Sequence, residues 1–206
     1  MAKFDVGFWD EKFEPDHFVY GEEATVFLRE QAHHLAPKSH ILVPADGEGR
    51  NSVFLASLGH SIVATDRSDR GLAKARRLAE SKSVEVDYRK RDIHSWEWPK
   101  AAFDAVVAIF IQFSEPKMRS YVFDQMQKAV RPGGLVFLHG YTQKQLEYGT
   151  GGPPVLDHLY TEELLQASFT GWQMLRLEAY ERVLEEGTGH VGQSALIDLI
   201  ARRPAD

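Results

Sequence analysis

Apolar positions along the chain change period several times, and each change marks an element. Between Glu22 and Leu35, residues Ala24, Phe27, Leu28, Ala32 and Leu35 recur at three- and four-residue spacing, one face of a helix that Pro37 closes. Ile41 to Ala45 is short and continuously apolar, as in a strand covered on both faces. A helix over about Arg50 to Leu58 follows, with Val53, Phe54, Ala56 and Leu58 inward and Gly59 in the left-handed position past its end. Ser61 to Thr65 reads as a second strand. Asp69 to Ser81 is a basic helix with Leu72, Ala75, Leu78 and Ala79 as its inner stripe, and Val84 to Tyr88 alternates as a third strand.

The rhythm continues. Phe103 to Ile111 is an apolar run suited to the middle of a sheet, Pro116 to Val130 a helix, Arg131-Pro132-Gly133-Gly134 a hard turn, and Leu135 to Leu138 a fifth strand. Tyr148 to Pro154 holds three glycines and two prolines, too many for a helix or a central strand; it suits either a closing flap or a rigid connection. Thr161 to Ala167 is a short helix opened by a threonine and two acids. Gln173 to Val183 and His190 to Ala201 then flank a turn at Glu185-Glu186-Gly187-Thr188-Gly189, an antiparallel hairpin instead of another crossover helix. Strand and helix in alternation predict an α/β chain with an open, doubly wound sheet that binds ligands where the first strand ends. Residues 1 to 36 supply an aromatic cap (Phe4, Phe8, Trp9, Phe13, Phe18, Tyr20) and a helix, residues 37 to 206 the core, and the whole is expected to be a single domain.

Composition narrows the function classes. At 206 residues, 43% hydrophobic and 26% charged, this is ordinary globular material. No apolar run approaches the roughly 20 residues of a membrane span, and the start, rich in acids and aromatics, is unlike a secretory signal. A cytoplasmic protein with no membrane partner is expected. The absence of cysteine removes disulfides, thiolate nucleophiles and cysteine zinc sites. No His-x3-His or His-Glu-x-x-His spacing exists, so no metal is expected. A net charge of −6 argues against nucleic acid and for a small-molecule substrate. The acid pairs Glu22-Glu23 and Glu185-Glu186 read as solvent-facing. Oligomeric state has no signature here.

The stretch from Ile41 to Asp66 carries the chemistry. A strand breaking at Gly47 and Gly49 lets backbone approach a ligand, the next helix points free N–H groups toward it, and Asp66 ends a second strand with a carboxylate placed for ribose hydroxyls. The same Asp66, with Ser68, also suits a plain helix cap.

In order and spacing, Asp46-Gly47-Glu48-Gly49-Arg50-Asn51, Thr65-Asp66-Arg67-Ser68, Arg91-Asp92-Ile93, Phe103-Asp104, Arg131-Pro132-Gly133-Gly134 and the closing hairpin resemble class I S-adenosylmethionine-dependent methyltransferases, in particular small bacterial members of the tellurite-resistance and thiopurine type. The resemblance covers nearly the whole chain. It implies a Rossmann-like sheet of seven strands ordered 3-2-1-4-5-7-6 with strand 7 antiparallel, S-adenosyl-L-methionine as cofactor, and a small-molecule acceptor. It further implies that Gly47 and Gly49 pass the methionine part with Asp46 and Asn51 nearby, that Asp66 holds the ribose, that Arg67, Asp92 and Ile93 flank the adenine, and that Phe110 and Tyr20 border the cofactor.

Departures from the family pattern are informative. Val43 stands where relatives have an acid and Ala45 where they have the first glycine. Alanine suits negative φ, so the turn is expected to survive, while Asp46 adds a charge next to the cationic sulfonium or amino group of the ligand, which either tightens cofactor binding, with Asp46 in place of the missing acid, or marks a changed ligand. Methyl transfer from a sulfonium needs no nucleophile from the protein, only positioning and exclusion of water; for a hydroxyl or protonated amine acceptor a base helps, and His139, Tyr141 and His158 are the candidates. Two other classes remain open: a non-catalytic S-adenosylmethionine-binding protein, and an NAD(P)-dependent oxidoreductase, which Ser52 in the third glycine position disfavours.

Overall fold

A computed structural model describes residues 6 to 205; Phe4 lies outside them. Along the chain run α1 (Val6–Lys12), α2 (Val26–Gln31) with a 3-10 turn at Ala32–His34, β1 (His40–Pro44), α3 (Arg50–Ser57), β2 (Ser61–Asp66), α4 (Asp69–Ser81) and β3 (Asp87–Lys90). Then come β4 (Phe103–Ile109), α5 (Pro116–Ala129), β5 (Val130–Tyr141), α6 (Gln145–Tyr148), a 3-10 turn at Leu156–His158, α7 (Glu162–Ser168), β6 (Gln173–Glu186) and β7 (His190–Arg202). The seven strands are ordered β3-β2-β1-β4-β5-β7-β6, with β7 antiparallel to β5. The order expected from the resemblance is therefore the order found.

The chain divides into two compact units, one formed by the residues up to Trp96 with Glu186–Gly189, the other by Glu97–Glu185 with the residues from His190 onward. In the first, β1 and β2 pair in parallel from His40↔Ser61 to Pro44↔Thr65, and β2 pairs with β3 from Val63↔Asp87 to Asp66↔Lys90. Ile41, Leu42, Ile62 and Val63 are buried, as the unbroken apolar runs require, and Leu72, Ala75, Leu78 and Ala79 form the inner stripe of α4. In the second unit, β4 pairs in parallel with β5, and β5 with β7 from Leu135↔Arg202 to Tyr141↔Leu196. Among the described residues no helix is long and apolar enough to cross a membrane.

Several boundaries differ from the pattern-based ones for identifiable reasons. The helix expected from Glu22 begins only at Val26, because Thr25 is its N-cap and accepts from Leu28 N at 3.4 Å. Leu58 was expected inward, but it follows the last turn of α3 and is 50% exposed; Leu55 fills that place. The third strand starts at Asp87 instead of Val84, whose N–H donates to Ala79 O and is drawn to the end of α4. The turn at Arg131–Gly134 does not precede a strand but lies inside one. Phe103 pairs with Val130 and Ala105 with Leu135, so residues 131 to 134 bulge out of β5 while its pairing with β4 resumes beyond them. As a result His139 and Tyr141 lie within the strand and are buried.

Gly134 closes this bulge. A Cβ there would stand 2.6 Å from Asp104 O, a backbone atom that cannot swing aside. Gly134→Ala is expected to destabilise the protein by about 2 kcal/mol or more in urea unfolding, as overpacking against backbone does.

Candidate functional site

The turn after β1 is set by hydrogen bonds to the end of β2. Asp46 N–H donates to Thr65 O at 3.0 Å, Gly47 N–H to Asp66 Oδ2 at 2.9 Å, and Ser68 N–H to Asp66 Oδ1 at 2.8 Å. Asp66 thus engages both the glycine turn and the start of α4, and the cap reading and the site reading of this residue meet in one geometry. Ala45 has φ of 50°, against the expectation of a negative φ. The turn still needs a left-handed residue where glycine is missing, and alanine takes the strain, about 1 kcal/mol. Gly49, at φ of 91°, is glycine for packing: a Cβ would lie 2.6 Å from that of Ala75 on α4.

The side chains of the same motif face the cap. Glu48 Oε1 accepts from Val19 N (3.0 Å) and Lys74 Nζ (2.7 Å), and its Oε2 accepts from Tyr20 N (3.1 Å). Arg50 donates to Tyr20 O (2.8 Å) and pairs with Glu186 at 2.8 Å, so Glu186 is not solvent-facing as its sequence context suggested. Asn51 Oδ1 accepts from Thr25 N at 3.1 Å, which commits to the cap an atom expected near the cofactor. Phe13 reaches down to the turn, with its ring edge 3.1 Å from where a Cβ of Gly47 would be, and Trp9 stacks on it at 5.7 Å. Tyr20 packs edge-on against Phe13 at 6.2 Å, and burial pushes its phenol up to about 12.

Asp46 is the electrostatic exception. Both of its carboxylate oxygens are buried and neither has a hydrogen-bond partner. Ser52 lies close enough to ease the charge, but its hydroxyl donates to Gly49 O at 3.0 Å. Desolvation, with Asp66 adding like charge, pushes the carboxyl up to about 7. Burial also raises the pKa of Asp66, partly offset by the amides of Ser68 and Gly47. Arg67 pairs with Asp92 at 3.5 Å, Asp92 Oδ1 accepts from His94 N at 3.0 Å, and Ile93 is buried. The first unit thus gathers Tyr20, Asp46, Gly47, Gly49, Asn51, Asp66, Arg67, Asp92 and Ile93. Its two carboxylates at the strand ends, one of them without a donor, fit a ligand that carries ribose hydroxyls and positive charge.

In the second unit Phe110 follows β4 at φ of 55°, with ring contacts to His139 (4.7 Å), Tyr141 (4.8 Å) and His190 (4.3 Å). His139 Nδ1 lies 2.7 Å from Asp198 Oδ1, and Arg176 Nε donates to Asp198 Oδ2 at 2.8 Å. Asp198 has no place in the sequence reading because the hairpin is read there for its turn alone. An acid amid the apolar run of β7 was the available signal. An open cavity of about 720 Å³ lined by His60, Arg76 and Val84–Tyr88 contains none of the predicted residues.

Residues 41–134 match the family model of a methyltransferase domain. Over that stretch the chain is similar to methyltransferase domains. It is 35% identical over 97 residues to a ubiquinone biosynthesis O-methyltransferase of Methylocella silvestris, covering 47% of this chain and 38% of that protein. Against a thiopurine S-methyltransferase of Pseudomonas putida the identity is 28% over 194 residues, covering 82% and 83%. The structure of TehB from Haemophilus influenzae superposes with a TM-score of 0.70 at 16% identity, over 96% of this chain and 66% of that one. The chain thus spans well under half of the first relative and most of the second.

Two predictions test this site. Glu48→Gln leaves Lys74 buried without its counter-charge, and is expected to cost about 3 kcal/mol and to speed amide exchange across residues 13 to 26. Unchanged exchange would assign the cap's hold to aromatic packing alone. Asp46, raised in the folded state, contributes stability that is complete below pH 4 and is lost as pH rises through 7. Asp46→Asn should therefore stabilise the protein at pH 8, by on the order of 2 kcal/mol, and leave stability at pH 4 unchanged in denaturant melts.

Proposed function

We propose that this chain transfers a methyl group from S-adenosyl-L-methionine to a small-molecule acceptor. The observation that carries the reading is the joining of the glycine turn to Asp66, which sets a carboxylate suited to ribose hydroxyls beside the turn that ends the first strand. Gly47 borders the methionine part, Asp66 takes the ribose hydroxyls with its remaining lone pairs, and Arg67, Asp92 and Ile93 border the adenine. Tyr20 completes the cofactor's surroundings within this unit.

S-adenosylmethionine supplies an activated methyl group whose departure leaves a neutral sulfur. The protein's task is to hold, orient and keep dry. His139 and Tyr141 are both buried, and His139 Nδ1 is engaged with Asp198, so the rate is assigned to positioning and not to a dedicated base. The acidic net charge of −6 favours a small acceptor over nucleic acid.

Calorimetric titration with S-adenosylmethionine, S-adenosylhomocysteine and NADH tests the reading. Binding of the first two at micromolar concentration and none of the third is expected. Asp66→Ala should weaken cofactor binding by about 1 to 3 kcal/mol. Binding of NADH alone would replace the methyltransferase by an oxidoreductase, and cofactor binding without turnover across an acceptor panel would make the chain a binding protein.

A further inference from the structure

We infer that Asp46 is the counter-charge for the sulfonium of the methyl donor, and that it makes the enzyme hold the donor more tightly than the demethylated product. The inference rests on the cofactor reading above. Its basis is a carboxylate whose two oxygens are sealed from solvent and receive no hydrogen bond, in the residue next to Gly47. Such a group is among the costliest a fold can carry unless a cation balances it.

The groups around it do so only in part. From β2, Asp66 adds a second negative charge. From α3, the charge of Arg50 and the hydroxyl and amide of Ser52 ease the carboxylate, but Arg50 is engaged by Tyr20 O and Glu186 and the Ser52 hydroxyl by Gly49 O, so the carboxyl remains raised. From β3, the Tyr88 phenol meets Ser52 Oγ at 3.2 Å, and its pKa is raised by burial and by the charge of Asp46. The local surplus is therefore negative, and it lies in the turn that joins β1 to α3. Across such a turn, in low dielectric, a unit charge acts through space without contact.

The chemistry of the cofactor pair makes the role specific. Donor and product share the adenosine, the ammonium and the carboxylate, so those contributions cancel between them. Only the sulfur differs: it is cationic before transfer and neutral after. A carboxyl held at about 7 is poised to ionise when the cation arrives and to take back a proton when the charge is gone. Below pH 7 it is protonated, and the preference for donor should fade.

The test measures dissociation constants of S-adenosylmethionine and S-adenosylhomocysteine by calorimetry at pH 8 and pH 5.5, for the wild type and for Asp46→Asn. At pH 8 the product-to-donor ratio of dissociation constants should fall about tenfold in the variant. In the wild type it should fall similarly between pH 8 and pH 5.5, and in the variant it should stay flat. Titrations at pH 7 in buffers of different ionisation enthalpy should show proton release on binding donor, and less on binding product. A variant with the wild-type ratio at pH 8, or a wild-type ratio that ignores pH, overturns the assignment of Asp46 and leaves the cofactor reading standing. Failure of the wild type to bind either ligand overturns both. The wild-type pH series decides alone if the variant does not fold.

Discussion

The bond from Gly47 N–H to Asp66 Oδ2 is the constraint on which the site depends. It joins the chain leaving β1 to the end of β2, so the glycine turn and the carboxylate are placed by one interaction. The same carboxylate holds the N–H of Ser68, whose hydroxyl caps α4 by accepting from Gly71 N at 3.0 Å. Strand end, turn and helix start are thus fastened together before any ligand is considered. This over-determination is what permits two costly features within the turn, the left-handed Ala45 and the unsolvated Asp46.

The motif after β1 divides its labour by atom type. Its backbone is fastened to the end of β2 through Asp46 and Gly47, and Gly47 and Gly49 lack side chains where Phe13 and Ala75 leave no room for one. Its side chains point the other way: Glu48, Arg50 and Asn51 hold Val19, Tyr20 and Thr25, and Arg50 also holds the hairpin tip through Glu186. The cap is therefore tied to the turn it covers, and what moves one must strain the other. Glu48 and Lys74 are both buried, so that tie acts in a medium where charge is poorly screened.

Much of the architecture was legible because each element carries its own period. The stripe of α4 and the unbroken runs of β1 and β4 predicted elements, burial and sheet type together. Where the reading failed, a distant residue had intervened. Asn51 and Thr25 reset the start of α2, and the resumed pairing of β4 with β5 turned Arg131–Gly134 from a turn into a bulge. Candidate site residues were found where glycine or an acid interrupts an apolar pattern. Glu48, Lys74 and Asp198 were missed, and Glu186 was taken as solvent-facing, since their partners are distant in sequence: 26 residues for Glu48 and Lys74, 59 for Asp198 and His139, and more than that for Glu186 and Arg50.

By itself the sequence determined the alternation of strand and helix, the apolar faces and the places where backbone is bared by glycine, because these follow from local period and local conformational freedom. Tertiary structure alone decided which polar groups are satisfied. Whether Asp66 caps or binds, whether Asn51 faces cap or ligand, and whether Asp46 has a donor all depend on atoms brought near by folding. A hydrogen bond is won or lost over less than an ångström, a distance that no spacing along the chain encodes.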